Sequence, residues 1–147
     1  MWGWVHIKRL RDGDEELLRT LLVAFKPGGQ SDYHLQQLLG RNDVHLLVAI
    51  TNDAPIGFLF GYELPRLSTA DKMMFIYELE VAPEHRRKGV GKLLIEAVLN
   101  YCHLQGFSKA FVISDESNEA GMKLYQAVGG RRPRSDDAVF KFDTRSG

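Results

Sequence analysis

Glu84-His85-Arg86-Arg87-Lys88-Gly89-Val90-Gly91-Lys92 is the stretch on which the reading of this chain turns. An apolar, strand-like run, Met73 to Val81, leads into it, and a helical run, Lys92 to Leu104, leads out. A strand that breaks at a basic, glycine-spaced turn and then opens a helix is suited to holding a phosphate. The first helical N–H groups have no intrahelical partner and point at the anion. Gly89 and Gly91 are expected to let the backbone approach a ligand that side chains would keep away. Arg86, Arg87, Lys88 and Lys92 add positive charge around it. The turn therefore reads as a pyrophosphate cradle, with Val90 inside it.

Two common phosphate loops do not fit. A Walker loop needs Ser or Thr after its lysine, and Lys92 is followed by Leu93. The dinucleotide fingerprint needs a glycine triplet of different spacing and a later acidic residue. What Arg86-Arg87-Lys88-Gly89-Val90-Gly91 does match is Arg/Gln-x-x-Gly-x-Gly/Ala, and in this it resembles the acetyl-CoA pyrophosphate loop of the GCN5-related N-acetyltransferases (GNAT). Leu79-Glu80-Val81-Ala82-Pro83-Glu84-His85 ahead of it resembles the family's fourth strand and its exit. Asn118 to Tyr125, followed by Gly129, resembles the family's second CoA motif.

The chain has 147 residues, balanced charge and one cysteine. That length suits one domain with one core, residues 1–147. A formal net charge of +0 gives no bulk field to draw nucleic acid. No apolar run approaches the ~20 residues of a membrane span, and Met1 to Leu10 lacks the apolar region of a signal peptide. A cytoplasmic setting is expected. Cys102 is read as packing, and His6, His34, His45 and His103 lack metal-ligand spacing, so no metal site is expected. His85 reads as a solvent-facing loop residue.

Along the chain, Val5 to Leu10 reads as a strand. Asp12 is expected to cap a helix carrying Leu17, Leu18, Leu21, Leu22 and Phe25, which Pro27-Gly28-Gly29 stops. Ser31 caps a second helix that ends at Gly40. Val44 to Ile50, Ile56 to Leu64 and Met73 to Val81 read as consecutive antiparallel strands. Gly89 to Gln105 reads as a helix burying Val90, Leu93, Leu94, Ala97, Val98 and Tyr101. Ala110 to Ile113 is a strand, Asn118 to Ala127 a helix, and Ala138 to Phe142 a final strand paired near Arg131 to Arg134. The fold class is α/β. With the resemblance, it is a mixed, mostly antiparallel central sheet of the GNAT type, with splayed central strands flanked by helices.

Acetyl transfer from a thioester to an amine needs a neutral amine, a polarised carbonyl and a protonated leaving thiolate. Glu78 and Glu80 are candidates for accepting the ammonium proton or attracting a cation. By alternation they share one face. A bulge near Leu79, usual in the family, would turn one of them away. The resemblance makes Tyr125 the general acid and gives the backbone of Leu79 and Val81 to the pantetheine arm, with the Val81 amide as oxyanion donor. Asn118 either caps its helix, binds pantetheine, or both.

Within the family the chain is most similar to the type I aminoglycoside 3-N-acetyltransferases. The similarity rests on Ser31-Asp32-Tyr33, Tyr62, Ile76-Tyr77-Glu78-Leu79, Glu84 to Arg87 and Phe142-Asp143. It departs where those enzymes carry aspartate, here Glu78, and where Glu80 replaces a small residue. The resemblance implies acetyl-CoA as co-substrate, a small cationic amine as acceptor, a role in antibiotic resistance and a homodimer. Asp32, Glu78, Glu80, Asp115 and Asp143 are the candidate acceptor contacts. Acetylation of a polyamine or of a protein N-terminus or lysine stays open. So does a non-catalytic acyl-CoA-binding module, against which Glu78 and Tyr125 speak.

Overall fold

The computed structural model describes residues 4–145. The order is β1 (His6–Arg9), α1 (Glu15–Phe25), α2 (Asp32–Leu39), β2 (Val44–Thr51), β3 (Ala54–Pro65), β4 (Lys72–Val81), α3 (Val90–Leu104), β5 (Lys109–Val112) and α4 (Glu119–Ala127). The five strands form one sheet in sequence order. β1 to β4 pair antiparallel, and β5 joins β4 in parallel after the α3 crossover. Asn52 and Asp53 make the tight β2–β3 turn, both at positive φ, which matches the twist of the flanking strands.

Each face of the sheet buries its own helices. On one side Leu18 and Leu21 of α1 and Leu35 and Leu39 of α2 pack on Leu46, Val48, Ile50 and Phe58. On the other, Val90, Leu94, Ile95 and Val98 of α3 pack on Leu47, Ala49, Leu59, Met74 and Ile76. The stripes at helical spacing thus do what amphipathic helices do, burying one face against a sheet. Leu93 departs from its expected place and is 41% exposed, while Ile95 and Cys102 are buried instead. Burial pushes the Cys102 thiol up to about 11, so it stays an inert thiol.

Three local expectations are corrected. Asp14, not Asp12, stands at the α1 N-cap, and its carboxylate accepts from Arg11 N and Lys8 Nζ, both at 2.9 Å, rather than capping α1. Ser31 does cap α2, its Oγ accepting from His34 N at 3.2 Å. The segment 138–142 is not a strand, and nothing near residues 131–134 pairs with it. Its alternation lacks a neighbouring strand to complete a ladder. The residues before it are held by local charges instead, Arg132 to Glu116 at 2.8 Å and Arg134 to Asp136 at 3.2 Å. His85 is half-buried, and its Nδ1 has no hydrogen-bond partner among the described residues.

At the end of the sheet away from the basic loop lies a buried polar network. His45 Nε2 donates to Glu63 Oε2 at 2.5 Å, Tyr101 Oη donates to the same oxygen at 3.1 Å, and Lys72 Nζ donates to Oε1 at 3.2 Å. Burial pushes the Glu63 carboxyl up, but the hydrogen bonds from His45, Lys72 and Tyr101 outweigh it and hold it below the usual range. Burial also holds His45 below its ordinary value, against the pull of Glu63.

Removing Glu63 strands buried His45 and leaves half-buried Tyr101 without its acceptor. Glu63→Ala is expected to cost roughly 1–3 kcal/mol in urea unfolding, the scale for leaving a buried polar group without its partner. Both His45 and Glu63 have folded-state values below their unfolded ones, so the unfolded chain takes up protons first as pH falls. Wild-type stability is therefore expected to decline on acidification, first below about 6.5 through His45 and then below about 4.5 through Glu63. An unfolding midpoint that is flat from neutral to acid pH contradicts this.

Candidate active site

β4 pairs with β5 only from Met73 to Ile76, against Lys109 to Val112. From Tyr77 to Val81 it keeps its ladder to β3 alone. The two strands part there, as the resemblance to a splayed sheet implied. The phase of the β3 ladder fixes which peptide groups face the gap. Ala82 N donates to Ile56 O at 2.8 Å. In the antiparallel register, Glu80 opposite Phe58 and Glu78 opposite Phe60 then also turn their peptide groups to β3. Leu79 and Val81 turn theirs into the gap. The Val81 carbonyl is already engaged by Arg86 Nε at 3.0 Å, so its N–H is what it offers a ligand.

One inserted residue determines where the carboxylates point. Phe60 pairs with Glu78 and Gly61 with Ile76, which leaves Tyr77 as a bulge. The bulge therefore sits ahead of both glutamates, not at Leu79, and turns neither away from the other. It also shifts the alternation. Leu79 and Val81 join Met74 and Ile76 on the α3 face, while Glu78 and Glu80 lie together on the α1–α2 face.

There they meet a cation that the sequence did not announce. Lys26 Nζ lies 2.8 Å from Glu78 Oε2 and 3.3 Å from Glu80 Oε2. The close ion pair with Glu78, and then that with Glu80, raises the Lys26 ammonium above its ordinary value. Lys26 is the residue that ends α1, and its neighbour Phe25 sets its height. The Phe25 ring packs edge-on to Phe58, 5.4 Å between centroids, and Phe58 is the cross-strand partner of Glu80. No pattern within α1 signals this; only the seating of the helix on β3 does.

Beside the carboxylates the same face is aromatic. Tyr77 packs against Tyr62 and Phe75, at 5.8 and 5.7 Å, and Phe75 stacks on Phe111 at 4.8 Å. Tyr77 is 57% exposed, so this surface is open to a ligand. Of the other candidate acidic contacts, Asp32 is held by Arg19 at 2.6 Å and Asp143 by Lys141 at 3.5 Å. Asp115 accepts from Ser117 N and Oγ, both 2.8 Å, in a local turn. Each has its own partner rather than a contact with the Glu78–Glu80 pair.

The basic loop opens on the opposite face. A 3-10 turn, Pro83–His85, carries the chain off β4, and Arg87 and Gly89 then take positive φ, 61° and 82°. Leu93 N closes the first turn of α3 on Gly89 O at 3.0 Å, so the amides of Val90, Gly91 and Lys92 precede any intrahelical bond. Arg86, Arg87, Lys88 and Lys92, all exposed, flank them along the chain. Gly89 has open space where a Cβ would stand. Gly91 does not: it is buried, and a Cβ there would come within 2.9 Å of Leu124 Cδ2. Its smallness lets α3 and α4 approach each other rather than admitting a ligand.

α4 is capped by Asn118, whose Oδ1 accepts from Gly121 N at 3.1 Å. Tyr125, next to Leu124, packs against the α3-side core, as do Leu79 and Val81. Burial raises its phenol above the ordinary value, so it is a neutral donor at physiological pH. Helix-start amides with basic side chains and a phenol thus lie on one side of the sheet and a carboxylate pair on the other, with β4 backbone that has no partner strand between them. These groups fit a long, diphosphate-bearing thioester threaded through the gap. Among the described residues, no group of His, Cys, Asp and Glu is arranged to hold a metal ion, and no helix is long and apolar enough to cross a membrane.

Known proteins share this architecture. An aminoglycoside acetyltransferase from an uncultured soil metagenomic sample, solved in complex with sisomicin, superposes with a TM-score of 0.83 at 25% identity over 97% of both chains. The ribosomal-protein-alanine N-acetyltransferase of Brucella melitensis biovar Abortus 2308 gives 0.72 at 26% identity, over 95% of this chain and 100% of that one. Mycothiol acetyltransferase of Segniliparus rotundus is 31% identical over 124 residues, 79% of this chain and 47% of that protein. The chain spans about a quarter to a half of the length of the curated relatives it matches. The sequence profile of the Acetyltransferase (GNAT) family matches residues 14–129, and the chain belongs to that family.

Proposed function

We propose that the chain is an acetyl-CoA-dependent N-acetyltransferase that acetylates the 3-amino group of an aminoglycoside by direct transfer in a ternary complex. The observation that carries this reading is the gap beyond Ile76, with Leu79 and Val81 offering backbone between Tyr125 on one face and Glu78 with Glu80 on the other. Acetyl-CoA supplies an activated acetyl thioester. The first-turn amides of α3 with Arg86, Arg87, Lys88 and Lys92 hold its diphosphate. The Leu79 backbone pairs with the pantetheine amides as an added strand does, and Asn118 borders that arm. The Val81 amide polarises the acetyl carbonyl. Glu78 takes the proton from the acceptor ammonium, Glu80 anchors a second cationic group, and Tyr125 protonates the departing sulfur.

The acceptor is read from the charge and shape of the α1–α2 face. Two carboxylates and an aromatic floor favour a cationic, ring-bearing amine, and the similar soil enzyme binds sisomicin. Asp32, Asp115 and Asp143 are further contacts on this reading, each released from its own partner by the acceptor. Exposed Val139, Phe140 and Phe142 support a homodimer, since apolar side chains gathered at one end of a chain favour burial against a second copy.

The cradle is tested at Gly89. Gly89→Asp places a negative charge at the helix N-terminus and is expected to weaken CoA binding by roughly tenfold or more. Gly89→Asn carries the same left-handed strain without the charge and is expected to bind far better. Calorimetric titration distinguishes them, and equal affinities would place the diphosphate elsewhere.

The chemistry is tested with an amine panel, following thiol release from acetyl-CoA. Tyr125→Phe is expected to lower turnover about 100-fold or more, in the range for a general acid, with CoA affinity kept. Glu78→Gln is expected to lower turnover with the amine while leaving CoA binding intact. Turnover of peptides or polyamines but no aminoglycoside would assign a different acceptor to the same machinery. No turnover with intact CoA binding would favour the acyl-CoA-binding module.

A further inference from the structure

We infer that Lys26 is a tethered occupant of the acceptor's ammonium position, which the incoming amine must displace. The inference rests on the reading above, in which Glu78 receives the acceptor amine. Lys26 Nζ stands 2.8 Å from Glu78 Oε2 and 3.3 Å from Glu80 Oε2, the position that an acceptor ammonium would take between the two carboxylates. Its side chain is 45% exposed, and Glu80 keeps 43% exposure, so the ammonium can swing into solvent without crossing the core.

The position of Lys26 in the chain suits such a gate. It follows the last residue of α1, and Phe25 anchors the helix end on Phe58. Beyond it Pro27-Gly28-Gly29 breaks the helix, with Gly29 at φ 66°. The root of the side chain is therefore fixed while its head is free. A tethered group competes at an effective concentration set by its short leash, of the order of mM. An acceptor amine must outcompete that local concentration, whereas a neutral or anionic acceptor has no charge to exchange for it. Two adjacent carboxylates with no cation between them would repel each other, so Lys26 also keeps the ligand-free pair together. The net charge of the trio, two carboxylates against one ammonium, is −1, which leaves an attraction for a cation even while Lys26 is in place.

Two measurements test this, and the first needs no turnover. At limiting amine-reactive reagent, Lys26 is expected to be modified several-fold more slowly than exposed Lys123, read by peptide mass spectrometry. Glu78→Gln with Glu80→Gln is expected to abolish that protection. Equal labelling of Lys26 and Lys123 in the wild type, or protection that survives the double substitution, overturns the inference whatever the enzyme acetylates. The second measurement uses whichever amine the panel shows to be turned over. Lys26→Met keeps the apolar stem and loses the charge, and is expected to lower the acceptor KM about two- to fivefold, the scale for a partly exposed ion pair, with kcat little changed. Lys26→Arg is expected to restore the higher KM. A KM that is unchanged or raised in Lys26→Met overturns the gate. Should no amine be turned over, the proposed activity falls, and the labelling experiment alone decides whether Lys26 occupies the carboxylate pair.

Discussion

Between Tyr77 and Val81 the fourth strand is hydrogen-bonded on one edge only. Backbone N–H and C=O groups are obligatory hydrogen-bonding groups, and a central strand that leaves them unpaired must offer them to water or to a ligand. The groups proposed to hold the thioester and the amine flank that break in the ladder. α3 begins shortly after β4 ends, so its free first-turn amides sit at the mouth of the gap. The bulge at Tyr77 sets the rotation of the last four residues of the strand, presenting apolar Leu79 and Val81 to one helical layer and acidic Glu78 and Glu80 to the other.

The consequence is a sheet with opposite electrostatic characters on its two faces. Positive side chains and helix amides gather on the α3 side, where a diphosphate would bind. On the α1–α2 side two carboxylates gather, and in the ligand-free chain they are bridged by Lys26. Far from both, the His45–Glu63–Tyr101–Lys72 network ties β2, β3, β4 and α3 together at the closed end of the sheet. The closed end is held by these polar bonds, and at the open end β4 has no partner strand beyond Ile76 on its β5 side. That division lets one small domain be stable and still carry a cleft through its middle.

Much of this was legible from the chain alone, for identifiable reasons. Elements written in periodicity, such as the α1 stripe from Leu17 to Phe25 and the β4 run from Met73 to Val81, appear where expected. The basic turn that opens α3 was legible because its glycines, charges and flanking elements are contiguous. Features that depend on tertiary packing were not. Gly91 looks like a ligand-facing glycine until Leu124 is found above it. The bulge stands at Tyr77 rather than Leu79 because ladder register, not local composition, places it. The segment 138–142 has strand-like alternation but no strand to pair with. Lys26, 52 positions before Glu78, carries no local sign of its role. Glu63 and His45 look like ordinary strand residues until their burial forces them to pair.

On the proposed function, the thioester arm binds along the unpaired edge of β4, between the α3 face and the α1–α2 face. Amide-resolved hydrogen exchange with and without CoA tests it most directly. Leu79 and Val81, together with Val90, Gly91 and Lys92, are predicted to slow markedly when CoA is bound. Glu78 and Glu80, already bonded to β3, are predicted to change little. Protection that spares Leu79 and Val81, or that falls instead on the paired segment Met73 to Ile76, would contradict the account.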